Sequence, residues 1–175
     1  MLQTLFRPRP SKAQGQALYG SAAGKARDAA FYRALNVPDR IDARFELFNL
    51  HVALLLERLR DQGDEAADVA QAALDAYVRS LDDTLREQGI GDLSMKKKMK
   101  TVAGLVMGRV AAVREALLAE DREALADFLG RSLPDIAQED AERLADYAFR
   151  AHAALAAQPL REVLEGRPAW PAVAG

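Results

Sequence analysis

The chain contains no cysteine. That excludes a disulfide framework, a thiolate metal site and a cysteine nucleophile. Only two histidines occur, His51 and His152, too few for a histidine-rich metal centre. Glycine and proline are scarce, at 11 and 7 of 175 residues, so little interrupts regular structure. An excess of one charge is also missing. The 24 basic and 26 acidic residues leave a net charge of −2, whereas a protein that binds nucleic acid through bulk electrostatics is basic. No specific DNA partner is expected. Uncharged apolar runs are short, Val52 to Leu56 being the most hydrophobic, and none approaches the roughly 20 residues of a membrane-spanning helix. The opening residues, MLQTLFRPRPSKAQG, lack the apolar core of a secretory signal. A cytoplasmic location is therefore expected.

What the sequence does have is alanine, 35 residues of it, and alanine is the strongest helix former. Hydrophobic residues make up 50% and charged residues 29%, the balance of a folded domain rather than a disordered chain. Residues 1–10 read as a flexible arm, because Pro8 and Pro10 bracket Arg9. A first helix is expected from Ser11 to about Leu35, and Pro38 then forces a turn. A second runs over about 40–62, capped by Asp39 or Asp42 and closed by Gly63. Its stripe is Phe45, Phe48, Val52, Leu55, Leu56 and Leu59. A third spans about 65–88, with Val69, Leu74, Val78, Leu81 and Leu85 on one side. Gly89 and Gly91 are expected to set the turn into a fourth helix, about 94–119, and Asp92 to meet its positive N-terminus. Met95, Met99, Val102, Val106, Val110, Val113 and Leu117 form that helix's stripe. A fifth helix at 121–130, a sixth at 136–157 and one more turn at 160–164 complete the set. No stretch alternates long enough for a strand. The expected architecture is all-α: one bundle-like, monomeric domain of about six helices over 11–165, with an irregular tail at 166–175.

Two clusters stand out. Arg44, His51 and Arg58 recur every seven residues, which places them within about 40° of one another on a helix. Leu47 and Leu54 flank them, so the cations lie inside a broad apolar face. One reading is snorkelling arginines and a hydrogen-bonded histidine at a core margin. The other is a groove that receives an apolar partner segment. Lys96, Lys97, Lys98 and Lys100 crowd the start of the fourth helix, where the helix dipole disfavours cations. They suit contact with an anionic surface, lipid or RNA. No Glu-x-x-His pair, nucleophile elbow or glycine-rich phosphate loop occurs, and no metal or other cofactor is expected. A small helical enzyme or ligand carrier with a pocket around His51 stays open as an alternative. So does a helical nucleic-acid-binding domain using Lys96 to Lys100.

Several segments, in order, resemble the ubiquinol–cytochrome c chaperone family. They are Val37-Pro38-Asp39-x-x-Asp42-x-Arg44-Phe45-Glu46 followed by Leu50-His51, then Leu85-Arg86-Glu87-x-Gly89-Ile90-Gly91-Asp92-Leu93, Lys97 to Lys100, and Gly108-Arg109. The chain departs from the family pattern at Ala43, usually glycine, and at Ala103 to Met107, usually aromatic-rich. The resemblance implies a bacterial assembly factor of the respiratory chain rather than an enzyme. It implies binding of newly made cytochrome b, with the ribosome, an anionic membrane surface and a small helical protein as further partners, and peripheral association at the cytoplasmic face of the inner membrane. On this reading Arg44, Leu47, His51, Leu54 and Arg58 meet the client, and Lys96, Lys97, Lys98 and Lys100 meet membrane or ribosome. Asp39, Asp42, Glu46, Arg86, Glu87, Gly89, Gly91, Asp92 and Arg109 form the structural motif.

Overall fold

A computed structural model describes residues 10–87 and 92–173. Eight helices are found there and no strand. They are α1 (Pro10–Ala26), α2 (Ala29–Ala34), α3 (Ile41–Leu59), α4 (Asp64–Glu87), α5 (Asp92–Leu118), α6 (Arg122–Ser132), α7 (Gln138–Ala157) and α8 (Leu160–Leu164). Of the expected arm at 1–10, residues 1–9 lie outside the described residues and Pro10 already opens α1. The Gly89–Gly91 turn and the side chain of Asp92 also lie outside them. No described helix is long and apolar enough to cross a membrane.

The sequence of α3 is apolar on more than one face, and such a helix must be covered on several sides. It is: α1, α4, α5 and α7 all pack against it. Leu47, Leu50, Ala53 and Leu54 are buried. Around this axis α4 lies along α1, and α6 pairs with α7.

The expected first helix is two. Asp28 ends the first segment and restarts the chain, its carboxylate accepting from the Ala30 amide at 3.0 Å. That is the N-cap role of a short acceptor side chain. Lys25 sits 2.8 Å from the same carboxylate and, with the Ala30 bond, holds its pKa below the usual value. At the next boundary the expectation fails. The residue flanking α3 is Arg40, with no side-chain cap. Asp42 instead forks onto Arg40, and Asp39 pairs with Arg44 at 2.6 Å. Asp39 orders the turn by charge alone, while Asp42 also accepts from the Ala43 amide in the first turn of α3 at 3.0 Å. In α4, Val78 faces outward at 45% exposure, and Ala66, Val69, Ala76 and Tyr77 supply the buried side.

Close helix packing falls on Gly15, not on Gly20 or Gly24, which have open space beside them. A methyl at Gly15 would lie 2.5 Å from the Ala72 Cβ and 2.6 Å from its backbone carbon. Backbone cannot yield as a side chain can. Gly15→Ala is therefore expected to destabilise the protein by about 1–3 kcal/mol, despite alanine's better helix propensity. Chemical denaturation checks this, and an unchanged midpoint would refute the tight α1–α4 contact.

The irregular tail is tied down. The Trp170 indole N–H donates to Ser21 at 3.0 Å, and Arg150 donates to the Ala172 carbonyl at 3.0 Å. Gln158 accepts from the Ala169 amide and donates to the Arg167 carbonyl, both at 2.8 Å.

Candidate functional site

The Arg44–His51–Arg58 line does not form an open face. Leu47, His51 and Leu54 are at most 1% exposed, because α7 and the tail close over this side of α3. The His51 Nδ1 lies 2.7 Å from the Leu47 carbonyl, which can only accept, so Nδ1 carries the proton. Its Nε2 then accepts from the Tyr147 hydroxyl at 2.9 Å. Phe31 and Trp170 pack edge-on against the ring, with centroids 5.4 and 5.0 Å away. Burial is the largest cause that pushes the His51 pKa down to about 4. The ring is neutral at physiological pH, with both nitrogens satisfied and no route for a substrate. His51 is a core histidine, and a reactive pocket around it is not what this geometry makes.

The two arginines of the line part company. Arg58 donates to the Leu155 carbonyl at 2.7 Å and to the Gln158 carbonyl at 3.1 Å. Those are carbonyls at the end of α7, where the helix leaves acceptors unfilled. Arg44 is exposed, pairs with Asp39, and lies over the Tyr32 ring. A client-binding role for Leu47, His51, Leu54 and Arg58 as a surface is therefore corrected by their burial and internal bonds.

The motif residues sort differently. Glu46 and Arg109 join α3 to α5 through a two-pronged ion pair. Glu46 is only 7% exposed. Arg109 also lies over the Phe45 ring. Beside them Tyr77 donates to the Asn49 side-chain oxygen at 2.9 Å, and burial raises its pKa. Tyr77 and Asn49 were not singled out by pattern, since neither breaks the helical period. Arg86 pairs with Asp82 at 2.7 Å, and Glu87 is exposed at the end of α4. Lys96, Lys97, Lys98 and Lys100 are all exposed on α5.

The open apolar surface lies on the other side of α3. A cleft of about 510 Å³ runs between α4 and α5. Leu56 and Leu59 of α3 form its floor, Ala67, Ala70 and Leu74 one wall, and Met107 and Val110 the other. Its origin is in the sequence of α4. Alanines at 67 and 70 are too short to reach across to α5, so α4 settles on α1 instead. A second hollow of about 620 Å³ continues along α5, where Ala111 and Leu118 join Met107 and Val110. Arg60 edges both hollows, and Arg114 edges the second. Glu57 engages these arginines at 3.0 and 3.2 Å. Met107 and Leu118 are more than half exposed. An open apolar trough with charged edges has the chemistry to shelter an apolar segment. This surface escapes the sequence pattern: the expected α5 stripe takes in Val110 but not Met107, which lies off its period. Among the described residues no group of three or more acidic or histidine side chains could hold a metal.

The family model described as ubiquinol-cytochrome C chaperone matches residues 33–170. The crystal structure of the Cbp3 homolog from Brucella abortus is similar over the whole length, with a TM-score of 0.86 at 32% identity. It covers 99% of this chain and 98% of that one. A comparison with curated proteins finds no match.

Proposed function

Because this chain belongs to the ubiquinol–cytochrome c chaperone family, we propose that it binds newly made cytochrome b and supports assembly of the ubiquinol–cytochrome c reductase complex, without catalysing a reaction. The observation that carries the client site is the apolar cleft between α4 and α5, with exposed Met107 on its wall. A transmembrane segment waiting for its partners needs apolar contact that can be released, and an open trough offers that where an enclosed pocket does not. The lysines at the start of α5 hold the protein near an anionic surface, ribosomal or lipid. That attraction weakens with salt, since exposed charges are screened over about 8 Å at physiological ionic strength.

Photo-crosslinking in cells tests the site. A probe replacing Met107 is expected to trap cytochrome b, and one replacing the fully buried Leu54 is expected to trap nothing. A Met107 probe that finds no cytochrome b would move the client site elsewhere. Deletion of the gene with the reductase complex intact would refute the chaperone role itself.

A further inference from the structure

The outward flank of α5 carries a pattern that its own fold leaves unused. Five large apolar side chains are exposed among the described residues, and three of them, Leu105, Met107 and Leu118, lie on this helix. Between Lys100 and Arg114 the only charged residue is Arg109, and Glu46 holds it inward. Lys97, Thr101, Gly104, Gly108, Ala111 and Glu115 fall within about 40° of one line on the helical wheel. All six are exposed. Leu105 and Met107 flank that line on opposite sides.

The charges along α5 are polarised. Lys96, Lys97, Lys98 and Lys100 stand at its start, and Glu115 and Glu120 at and just beyond its end. No ion pair engages Lys97 or Glu115 among the described residues. The arginines that line the same hollow as Glu115 are committed: Arg60 and Arg114 both to Glu57, at 3.0 and 3.2 Å. Lys97 and Glu115 sit nine residues either side of Val106, and Gly104 and Gly108 are likewise placed symmetrically about it. The face is therefore complementary to itself when one copy is reversed.

We propose that the outward face of α5 pairs with the same face of a second copy, the two helices antiparallel about Val106, with Lys97 of each copy against Glu115 of the other. One two-fold axis makes both charge contacts at once, as a self-complementary interface requires. Gly104 then faces Gly108 of the other copy, and their missing side chains let the backbones come close. Leu105 packs near its counterpart on one flank and Met107 near its counterpart on the other. An anionic lipid surface fits the same face less well, because it would repel Glu115 while it attracts Lys97; Lys96, Lys98 and Lys100, exposed at the edges of this face, stay available to such a surface. The pairing replaces the single-copy expectation. It also keeps the clefts of the two copies on one side of the assembly, because Met107 lines the cleft as well as the flank. Because Met107 borders both the cleft and this face, client and second copy share that side chain, and the association is read with the purified chain in the absence of client.

Sedimentation equilibrium of the full chain over a concentration series, at low and high salt, reads the association. A reversible dimer weakened by salt is expected. A side chain at Gly108 meets nothing within 4 Å in the single copy. Gly108→Leu should therefore keep or raise the melting temperature while weakening association about tenfold or more. Lys97→Glu should weaken it too, and Lys97→Glu combined with Glu115→Lys should restore it. Since the native chain has no cysteine, oxidising a mixture of Gly104→Cys and Gly108→Cys chains should join unlike copies in preference to like ones. Three results would each overturn the proposal: a wild type that stays monomeric throughout, a dimer indifferent to Gly108→Leu, or a charge exchange that fails to restore pairing. A monomer would leave this face to a lipid surface or another protein.

Discussion

Replacing Glu46 by alanine is expected to lower the unfolding free energy by about 2–4 kcal/mol. The substitution leaves the Arg109 guanidinium largely buried with its carboxylate gone, and an unpaired charge in a low-dielectric site is costly. Arg109 retains an edge of solvent at 21% side-chain exposure, so it can turn partly outward, which keeps the cost below that of a fully enclosed ion. Arg109→Ala should cost at least as much, because Glu46 is the more buried partner and has less room to escape. The double variant should cost less than the two single costs added together, with a coupling of about 1–3 kcal/mol. Arg109→Lys should rescue only part, since lysine cannot supply the two-pronged fork. Urea unfolding of the four variants measures this directly. Additive costs would mean that the pair does not anchor α5 to α3.

The second large effect is a dependence on pH. The buried His51 has its pKa lowered to about 4 from 6.5, so the folded protein resists its protonation while the unfolded chain does not. As pH falls below 6.5, the unfolded state takes up the proton first, and stability declines with it. The loss ends near pH 4, where the folded state protonates too, and totals about 3 kcal/mol. Asp28 and Asp42 have lowered pKa values, so their contributions are lost at still lower pH and leave the window between 4 and 6.5 to the histidine. Unfolding free energies measured across that window should slope upward with pH, and His51→Leu should flatten the slope. An NMR titration in which the His51 ring protonates near 6.5 would contradict the enclosed geometry.

The helical architecture was legible in the residues because helix formation here rests on period and punctuation. Of the expected α5 stripe, Met95, Val106, Val110, Val113 and Leu117 are buried, while Met99 and Val102 are only half-buried. The expected second, third and sixth helices also begin and end within three residues of α3, α4 and α7. The break at Asp28 was missed because a short acceptor side chain inside an alanine-rich run leaves the apolar period intact. Neither Asp39 nor Asp42 is the N-cap residue, which is Arg40; arginines at 40 and 44 engage both carboxylates, and only Asp42 also takes a backbone N–H, that of Ala43.

The line Arg44, His51, Arg58 shows where local pattern stops. Its geometry on the helix was right, and its surroundings could not be read from it. A polar stripe within an apolar face is equally a groove or a sealed core margin, until the neighbouring helices are placed. Sealing it took α7, the Tyr147 hydroxyl and the Trp170 ring, which lie 96 and 119 residues away in the chain from His51. The sequence by itself determined the class of fold, the helix count to within the split at Asp28, the absence of thiolate chemistry and the family. Each of these follows from composition, from spacing along one helix, or from short ordered motifs. Only the tertiary structure decided which apolar face is closed and which is open. That choice depends on side-chain lengths at facing positions of different helices: Tyr147 and Trp170 fill one side of α3, while Ala67 and Ala70 fall short on the other. No single helix carries that difference.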